Sequence, residues 1–386
     1  MYNIEVKTMP EYDVIVVGGG VAGIAAAVAA SRNGAKTLLM EKSCMLGGLA
    51  TAGLISWYEP LCDGEGKQMI YGIAEELIKL SVKYGYENLP AKWGGEGKNP
   101  IHYDRYATHF SPNIMALALI EYLEENGVSL RFDTLATYPD VEDGICKGIL
   151  VETVGGREFF PAKVFVDATG DACICYRAGI PTELGNNYLT YVTHEMHPKH
   201  IMKLAETNDF FNGRKWKSAG SDYAGKGHPE GRKPIQVTSA DDVTEYMVWG
   251  GKKVLETLKT EEKNSRDVLT IPTMPQFRKI RRIIGDFELD GSEDGVKFEN
   301  AVGAFGDFRK PGKHFELPYT TLYNRSVGNL YAAGRIISAK DDAWELVRVI
   351  PVAALSGEAA GTAAALCVKK HCKNYELDVK EVQKAL

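Results

Sequence analysis

The residues of this 386-residue chain best suited to chemistry fall into two groups, glycines able to receive a phosphate and cationic or imidazole side chains able to steer an anion or a proton. In the first group, Gly18-Gly19-Gly20-Val21-Ala22-Gly23 follows the apolar run Val14 to Val17, and Leu38-Leu39-Met40-Glu41 closes the unit after an alanine-rich segment. This reads as strand, glycine turn, helix and second strand, the unit that holds the ADP half of a dinucleotide. Gly18 permits the turn out of the strand, Gly20 lets backbone approach a diphosphate without a Cβ in the way, and Gly23 allows close helix–strand contact. The helix opening at Val21 and Ala22 offers unpaired N–H groups and a positive dipole end to an anion. Glu41 stands 23 residues after Gly18, placed to accept from ribose hydroxyls, and its charge repels a 2′-phosphate. The expected ligand is FAD or NAD rather than NADP.

In the second group, Arg278-Lys279-Ile280-Arg281-Arg282 is the densest basic spot in a weakly acidic chain. Arginines three and four apart share a helix or loop face, and a guanidinium fork suits a substrate carboxylate or an electron-rich ring edge; the competing reading is a solvated basic face. Arg335 and Arg348 are each read as a ligand contact or as the partner of a nearby carboxylate such as Asp341 or Asp342. His194, Glu195 and His197 form a tight proton-transfer group, and His102 with Tyr103 and Asp104 forms a second. Arg282, Arg278, His194 and Arg335 are the candidate catalytic residues.

Composition narrows the class. With 45% hydrophobic and 25% charged residues and 40 glycines, the chain can build a large core in one or two domains. A net charge of −6 argues against nucleic acid as a partner. Seven cysteines, an odd set without zinc-type or iron–sulfur spacing, give no reason to expect a metal. Cys173 and Cys175, two apart, share a face if they lie in a strand, and read as buried thiols; Cys44 reads as an ordinary loop thiol. The mixed, polar start of the chain and the shortness of runs such as Ile24 to Ala30 lead to the expectation of a cytoplasmic protein with no membrane partner.

The elements that must position these groups can be read in outline. A small-residue loop, Gly47 to Gly53, leaves room for a planar ring system. Apolar spacing predicts a helix near Ile73–Tyr84, and residues 85–109 read as loop. A helix opened by Ser111-Pro112 and closed by Asn126-Gly127 is followed by a strand over 128–134. A later strand delivers Asp167 and Thr169 to a glycine turn. From Gly185 the texture changes, returning to the earlier kind at Phe315 with a strand over 329–333 and a helix over 351–368.

Taken in order, these stretches resemble the FAD-dependent oxidoreductase family of the two-dinucleotide-binding-domain flavoproteins, related to the flavin-bearing part of heterodisulfide reductase. The matching stretches are Gly18 to Gly23 with Glu41, Gly47-Gly48 with Thr51, Asp167-Ala168-Thr169-Gly170-Asp171, Arg278 to Gly285, Asn329 to Arg335, and Arg348 with Pro351 running into Gly361. The resemblance implies an α/β fold, a Rossmann-like FAD-binding domain of glutathione-reductase type (1–184 and 315–386) carrying an inserted α+β substrate domain (185–314). It implies non-covalent FAD held by the first glycine unit with Glu41 and Lys42, by Gly48, Leu49 and Thr51, and by backbone near Leu135 at the adenine. Ala168, Thr169 and Gly170 belong to the same set, as do Gly334 with Arg335 at the diphosphate and ribityl chain. Arg348, Pro351 and Val352 would stand where a helix N-terminus meets the flavin pyrimidine edge, favouring the charge that reduction places there.

The chain has no second glycine fingerprint, so no dedicated nicotinamide domain is expected. The expected activity is hydride transfer between a small-molecule substrate and flavin N5, with an external electron donor or acceptor. Two alternatives stand beside it: a flavin electron-transfer subunit working with a redox partner protein, and an enoate reductase of fumarate-reductase type in which an arginine supplies the proton.

Overall fold

The computed structural model describes residues 5–96 and 105–386. His102, Tyr103 and Asp104 lie outside the described residues.

Strands β1 (Tyr12–Val17) and β2 (Thr37–Met40) carry the runs expected of central parallel strands, and Val14, Ile15, Val16, Leu38 and Leu39 are fully buried. Between them α1 (Val21–Arg32) is buried along ten consecutive residues, which is why it shows no amphipathic stripe. Helices α2 (Gly72–Val82) and α3 (Pro112–Glu125) follow, then β3 (Ser129–Arg131), β4 (Leu135–Glu142), β5 (Ile145–Thr153) and the long β6 (Gly156–Asp167). The first half of β6 pairs antiparallel with β5, and its second half runs parallel to β1. A late strand, Leu330–Ala332, adds parallel to β6 on its other side, so the parallel layer reads β3-β2-β1-β6 and then Leu330–Ala332. This is a mixed α/β fold with a Rossmann-like parallel core.

A second, smaller apolar cluster joins Leu189, Ile235, Val237, Tyr246, Phe277 and Ile280. Tyr246 comes from the 21-residue helix α4 (Ala240–Thr260) and the other five from the connecting segments; the same part of the chain holds the antiparallel strands β7 (Thr190–Met196), β8 (Lys215–Gly220) and β9 (Asp267–Thr270), with β7 central. Ile283, Leu289, Val302 and Phe305, in the stretch assigned by texture to the 185–314 block, pack into the main core.

Beyond Leu330–Ala332, here β10, the 21-residue helix α5 (Ile350–Lys370) lies against α1. It alone among the described residues has the length and hydropathy of a membrane span, and 83% of its apolar window is buried inside the protein. The contact is made by glycines: a Cβ on Gly357 would stand 2.1 Å from the Ala22 carbonyl oxygen, and one on Gly361 2.0 Å from that of Ala26. Backbone therefore touches backbone across the two helices.

One expectation about local structure is corrected. Cys173 and Cys175 lie in a short helix, Cys173–Arg177, not a strand, so they do not share a face. The fully buried Asp167 carboxylate imposes this helix by accepting from the N–H groups of Ile174 (3.0 Å) and Cys175 (2.9 Å).

Candidate functional site

The carboxyl ends of β1 and β6 open into a cleft of about 690 Å³, the position where open α/β sheets receive ligands. Its floor is the glycine turn. Gly18 has φ +105°, and a Cβ there would lie 2.6 Å from the Ala168 carbonyl oxygen, so glycine is required for the chain to leave the strand. Gly23 stands against Gly18, where a Cβ would fall 1.8 Å from the Gly18 oxygen. Gly20 differs from both: a Cβ added to it would meet nothing within 4 Å, because it would project into the cleft.

The wall runs continuously from one end to the other. At one end the Glu41 carboxylate accepts from the Gly19 N–H (2.7 Å) and from the backbone N–H and hydroxyl of Ser43 (2.8 Å each), and so is held at the cleft edge. Gly47 pairs with Gly20, bringing Gly48 and Leu49 into the lining. Ala22 then faces Gly334, whose φ is +79° and whose N–H donates to the Ser356 hydroxyl at 2.9 Å. Gly334 in turn neighbours Ala353 in the first turns of α5, which lines the far end with Ile350 and Arg348. The opposite wall comes from Val237 to Ala240, Val243, Thr273-Met274-Pro275 and Phe277, of which Val237 and Phe277 belong to the second cluster.

Of the residues expected at a cofactor, Gly18, Gly20, Val21, Ala22, Glu41, Lys42, Gly48, Leu49, Ala168, Thr169, Gly170, Gly334, Arg335 and Arg348 line this cleft. Gly23, Thr51, Leu135, Pro351 and Val352 do not. Thr51 is buried beneath Gly47, its hydroxyl donating to the Leu46 carbonyl and holding the loop's shape. Leu135 is 49% exposed at the start of β4, although the neighbouring Thr134 N–H donates to the Glu41 carbonyl (3.0 Å). Pro351 and Val352 are buried in the first turn of α5, facing the protein rather than the cleft.

The candidate catalytic residues separate. Arg335 lines the cleft with only neutral partners: its Nε donates to the Gly170 carbonyl (2.5 Å) and its Nη1 to the Phe277 carbonyl (3.1 Å). Burial draws its guanidinium down to about 10, against the pull of Asp171. Arg282 lies outside the cleft. Residues Arg281–Ile283 form a strand paired with Thr182–Leu184, so the adjacent Arg281 and Arg282 point to opposite sides; Arg278 lies outside this strand, no helix spans 278–282, and neither Arg278 nor Arg282 lines the cleft. Arg282 is buried and ion-paired to Glu183 (2.7 Å) and Glu288, whereas Arg281 points into the cleft and stacks over Tyr176. Substrate contact by Arg282 is therefore corrected to a structural ion pair. Arg282→Met keeps the aliphatic stem and leaves two partly exposed carboxylates able to hydrate, so urea unfolding should show a loss of only about 1–2 kcal/mol, with flavin content unchanged.

His194 is fully buried on β7 with its Nε2 3.5 Å from the Ser56 hydroxyl, and burial lowers its imidazole to about 4, keeping it neutral. It does not line the cleft, and neither do Glu195 and His197: Glu195 is bound to Arg266 at 2.6 Å, with His197 3.4 Å away. Asp342 pairs with Arg309 and Glu345 with Arg348, so neither Asp341 nor Asp342 is the partner expected for Arg335 or Arg348.

Sequence reasoning placed Arg281 in the basic cluster but chose Arg278 and Arg282 over it, and it missed Arg177 and the Thr238-Ser239 pair in the lining. The signal for the last was present: Ser239 and Asp242 form a capping box that opens α4. It also missed Glu59, a half-buried carboxyl beside the Trp57 indole and within range of Arg348 and Arg105. Burial raises Glu59 to about 7, and those groups only partly oppose it, so it can take or release a proton near neutral pH.

The arrangement fits a dinucleotide on observations of its own: empty space above Gly20, a carboxylate held at one end, and a helix N-terminus at the other. These features define a nucleotide-binding flavoprotein-type fold. The sequence profile described as FAD dependent oxidoreductase matches residues 13–266 and 196–386, and the chain belongs to that family. It is an FAD-dependent oxidoreductase enzyme. A thioredoxin reductase of Ureaplasma parvum serovar 3 (strain ATCC 700970) is 33% identical over 76 residues, 20% of this chain and 25% of that protein. The chain thus spans about a quarter of the length of that curated relative. Among solved structures, a geranylgeranyl bacteriochlorophyll reductase-like protein of Thermoplasma acidophilum is similar at TM-score 0.50 and 15% identity, over 99% of this chain and 83% of that one. The p-nitrophenol 4-monooxygenase of Pseudomonas putida DLL-E4 is similar at TM-score 0.51 and 12% identity, over 98% and 84%. These likenesses show the fold.

Proposed function

We propose that this enzyme moves a hydride between a small-molecule substrate and flavin N5, the block from 185 to 314 serving as the inserted substrate domain of a glutathione-reductase-type FAD domain in a cytoplasmic protein. The observation that carries the reading is the two-sided cleft: glycine backbone forms one wall, and Val237 and Phe277 of the second cluster, with Met274 and Pro275, form the other. Such a site excludes water from a planar ring while leaving an approach for a substrate.

Bound FAD supplies the two-electron acceptor or donor, and the chain's residues do the rest. Glu41 accepts from ribose hydroxyls, and the free N–H groups at the start of α1 receive the diphosphate. Arg335 sets a positive charge between Gly170 and Gly334. The N-terminus of α5 favours negative charge at the far end of the cleft. An external donor or acceptor completes the cycle.

Anaerobic titration of the purified yellow protein against a panel of small metabolites tests this. At least one should bleach the oxidised flavin band, or restore it after reduction. A flavin that responds to none of them, and exchanges electrons only with a redox protein, would replace this reading with the electron-transfer one.

A further inference from the structure

The last turn of α5 closes on two cysteines that the cofactor cleft does not use. His371, with φ +54°, takes the chain out of the helix in the left-handed conformation. Its N–H donates to the Val368 carbonyl (3.4 Å), and the Cys372 N–H donates to the Cys367 carbonyl (3.3 Å). This is the Schellman arrangement, in which side chains five residues apart meet across the cap, ordinarily in an apolar contact. Here the place is held by two sulfurs: Sγ of Cys372 lies 4.0 Å from Sγ of Cys367, and both are thiols.

The two thiols have different surroundings. Cys367 is 2% exposed, whereas Cys372 is only half-buried. Behind Cys367 runs a chain of hydroxyls. Tyr319 donates to the Asn374 carbonyl (2.7 Å) and so accepts from Tyr331 (2.7 Å), whose oxygen is left to accept from the Cys367 thiol (3.2 Å). The Cys372 thiol in turn donates to the Cys367 sulfur. Cys367 is thus held in place by its partners, and burial pushes its thiol up, so Cys372 is the one to meet an oxidant first.

We infer that Cys367 and Cys372 form a reversible redox site, in which hydrogen peroxide oxidises Cys372 and Cys367 then closes a disulfide across the helix cap. In the first step the Cys372 sulfur attacks one peroxide oxygen and the O–O bond breaks, leaving a sulfenic acid; the hydroxide released takes the thiol proton and departs as water. In the second the Cys367 sulfur displaces the sulfenic hydroxyl, which leaves with the Cys367 proton as a second water. Two thiols are oxidised and one peroxide is reduced. The sulfurs must approach by about 2 Å, a movement that falls to the Cys372 side chain and to the helix end, where a helix frays most readily. The bond ties α5 to a segment that is itself anchored: the Asn374 N–H donates to the Gly328 carbonyl (2.7 Å) and its side-chain amide to that of Val327 (2.9 Å), just before β10. This is the end of α5 away from the cleft, so flavin should be retained in both states.

The test treats the FAD-loaded, fully reduced protein with a few-fold excess of hydrogen peroxide, removes the excess with catalase, alkylates the remaining thiols in urea and digests with trypsin. Trypsin cuts after Lys369, Lys370 and Lys373, so the Cys367 and Cys372 peptides stay together only through a bond between their sulfurs. The joined pair, lighter by two hydrogens than its separate thiol peptides, should be the main product and should part on treatment with dithiothreitol. Cys44→Ser should form it as the parent does, and Cys372→Ser should leave Cys367 to be alkylated. Both sulfurs alkylated after peroxide, Cys372 carried on to sulfinic acid beside an alkylated Cys367, or a pair that forms only when peroxide meets the urea-unfolded chain would each overturn the inference.

Discussion

Gly20→Val should purify as a folded, colourless protein. Most glycine substitutions in a nucleotide-binding turn confound folding with binding, since the added Cβ strikes backbone. Gly18 and Gly23 are of that kind, with clashes at 2.6 and 1.8 Å. At Gly20 the backbone is extended, φ −71° and ψ 174°, within reach of any residue, and nothing lies within 4 Å of the added carbon. What the valine side chain meets is the volume through which a diphosphate must approach. Circular dichroism and urea unfolding should therefore match the parent closely, while FAD affinity falls by about 100-fold, roughly 3 kcal/mol. A yellow Gly20→Val protein would remove the diphosphate from this turn.

Gly361→Val is expected to do the reverse, damaging the fold far from any ligand. Its Cβ would stand 2.0 Å from the Ala26 carbonyl oxygen, and the backbone of α1 cannot retreat because its buried face rests on β1 and β2. Forcing the helices apart would strip contact from Ala22, Ala26, Ala360 and Ala364, all fully or nearly buried. Overpacking of this kind costs about 3 kcal/mol or more. Denaturant titration should show it as a lower midpoint with an unchanged slope, and a variant as stable as the parent would mean that the two helices do not meet at this point.

The two variants mark the boundary between what could be read from the sequence and what could not. The first βαβ unit was legible because its constraints are local: a run of β-branched residues, glycines where the chain turns, and an acidic residue one strand later. The helix expected over 351–368 and found over 350–370 was legible for the same reason, with proline in its first turn and a run of small residues behind it. Arg281 and Arg282 show where locality ends. Which of the two faces the cleft is set by pairing with Thr182–Leu184, almost a hundred residues away, and no local spacing encodes that parity. The short helix over 173–177 is likewise imposed by a buried carboxylate from the preceding strand. Helix α4 was hard to see because only Tyr246 and Gly250 along its 21 residues are buried, leaving little apolar stripe to detect. Glu59 gave no signal at all: its altered proton affinity comes from burial beside groups distant in sequence.

The backbone contact between α1 and α5 joins stretches separated by more than 300 positions, and β10 reaches β6 from nearly as late in the chain. During synthesis the central strands therefore emerge from the ribosome long before their covering helix exists, and their apolar flank waits in the open. The cradle for FAD cannot be assembled until translation has passed residue 353, so the cofactor cannot be taken up by the nascent glycine unit alone. Cells short of riboflavin should then accumulate complete but unliganded chains, deprived of the mass-action stabilisation that binding confers and cleared the faster by proteolysis.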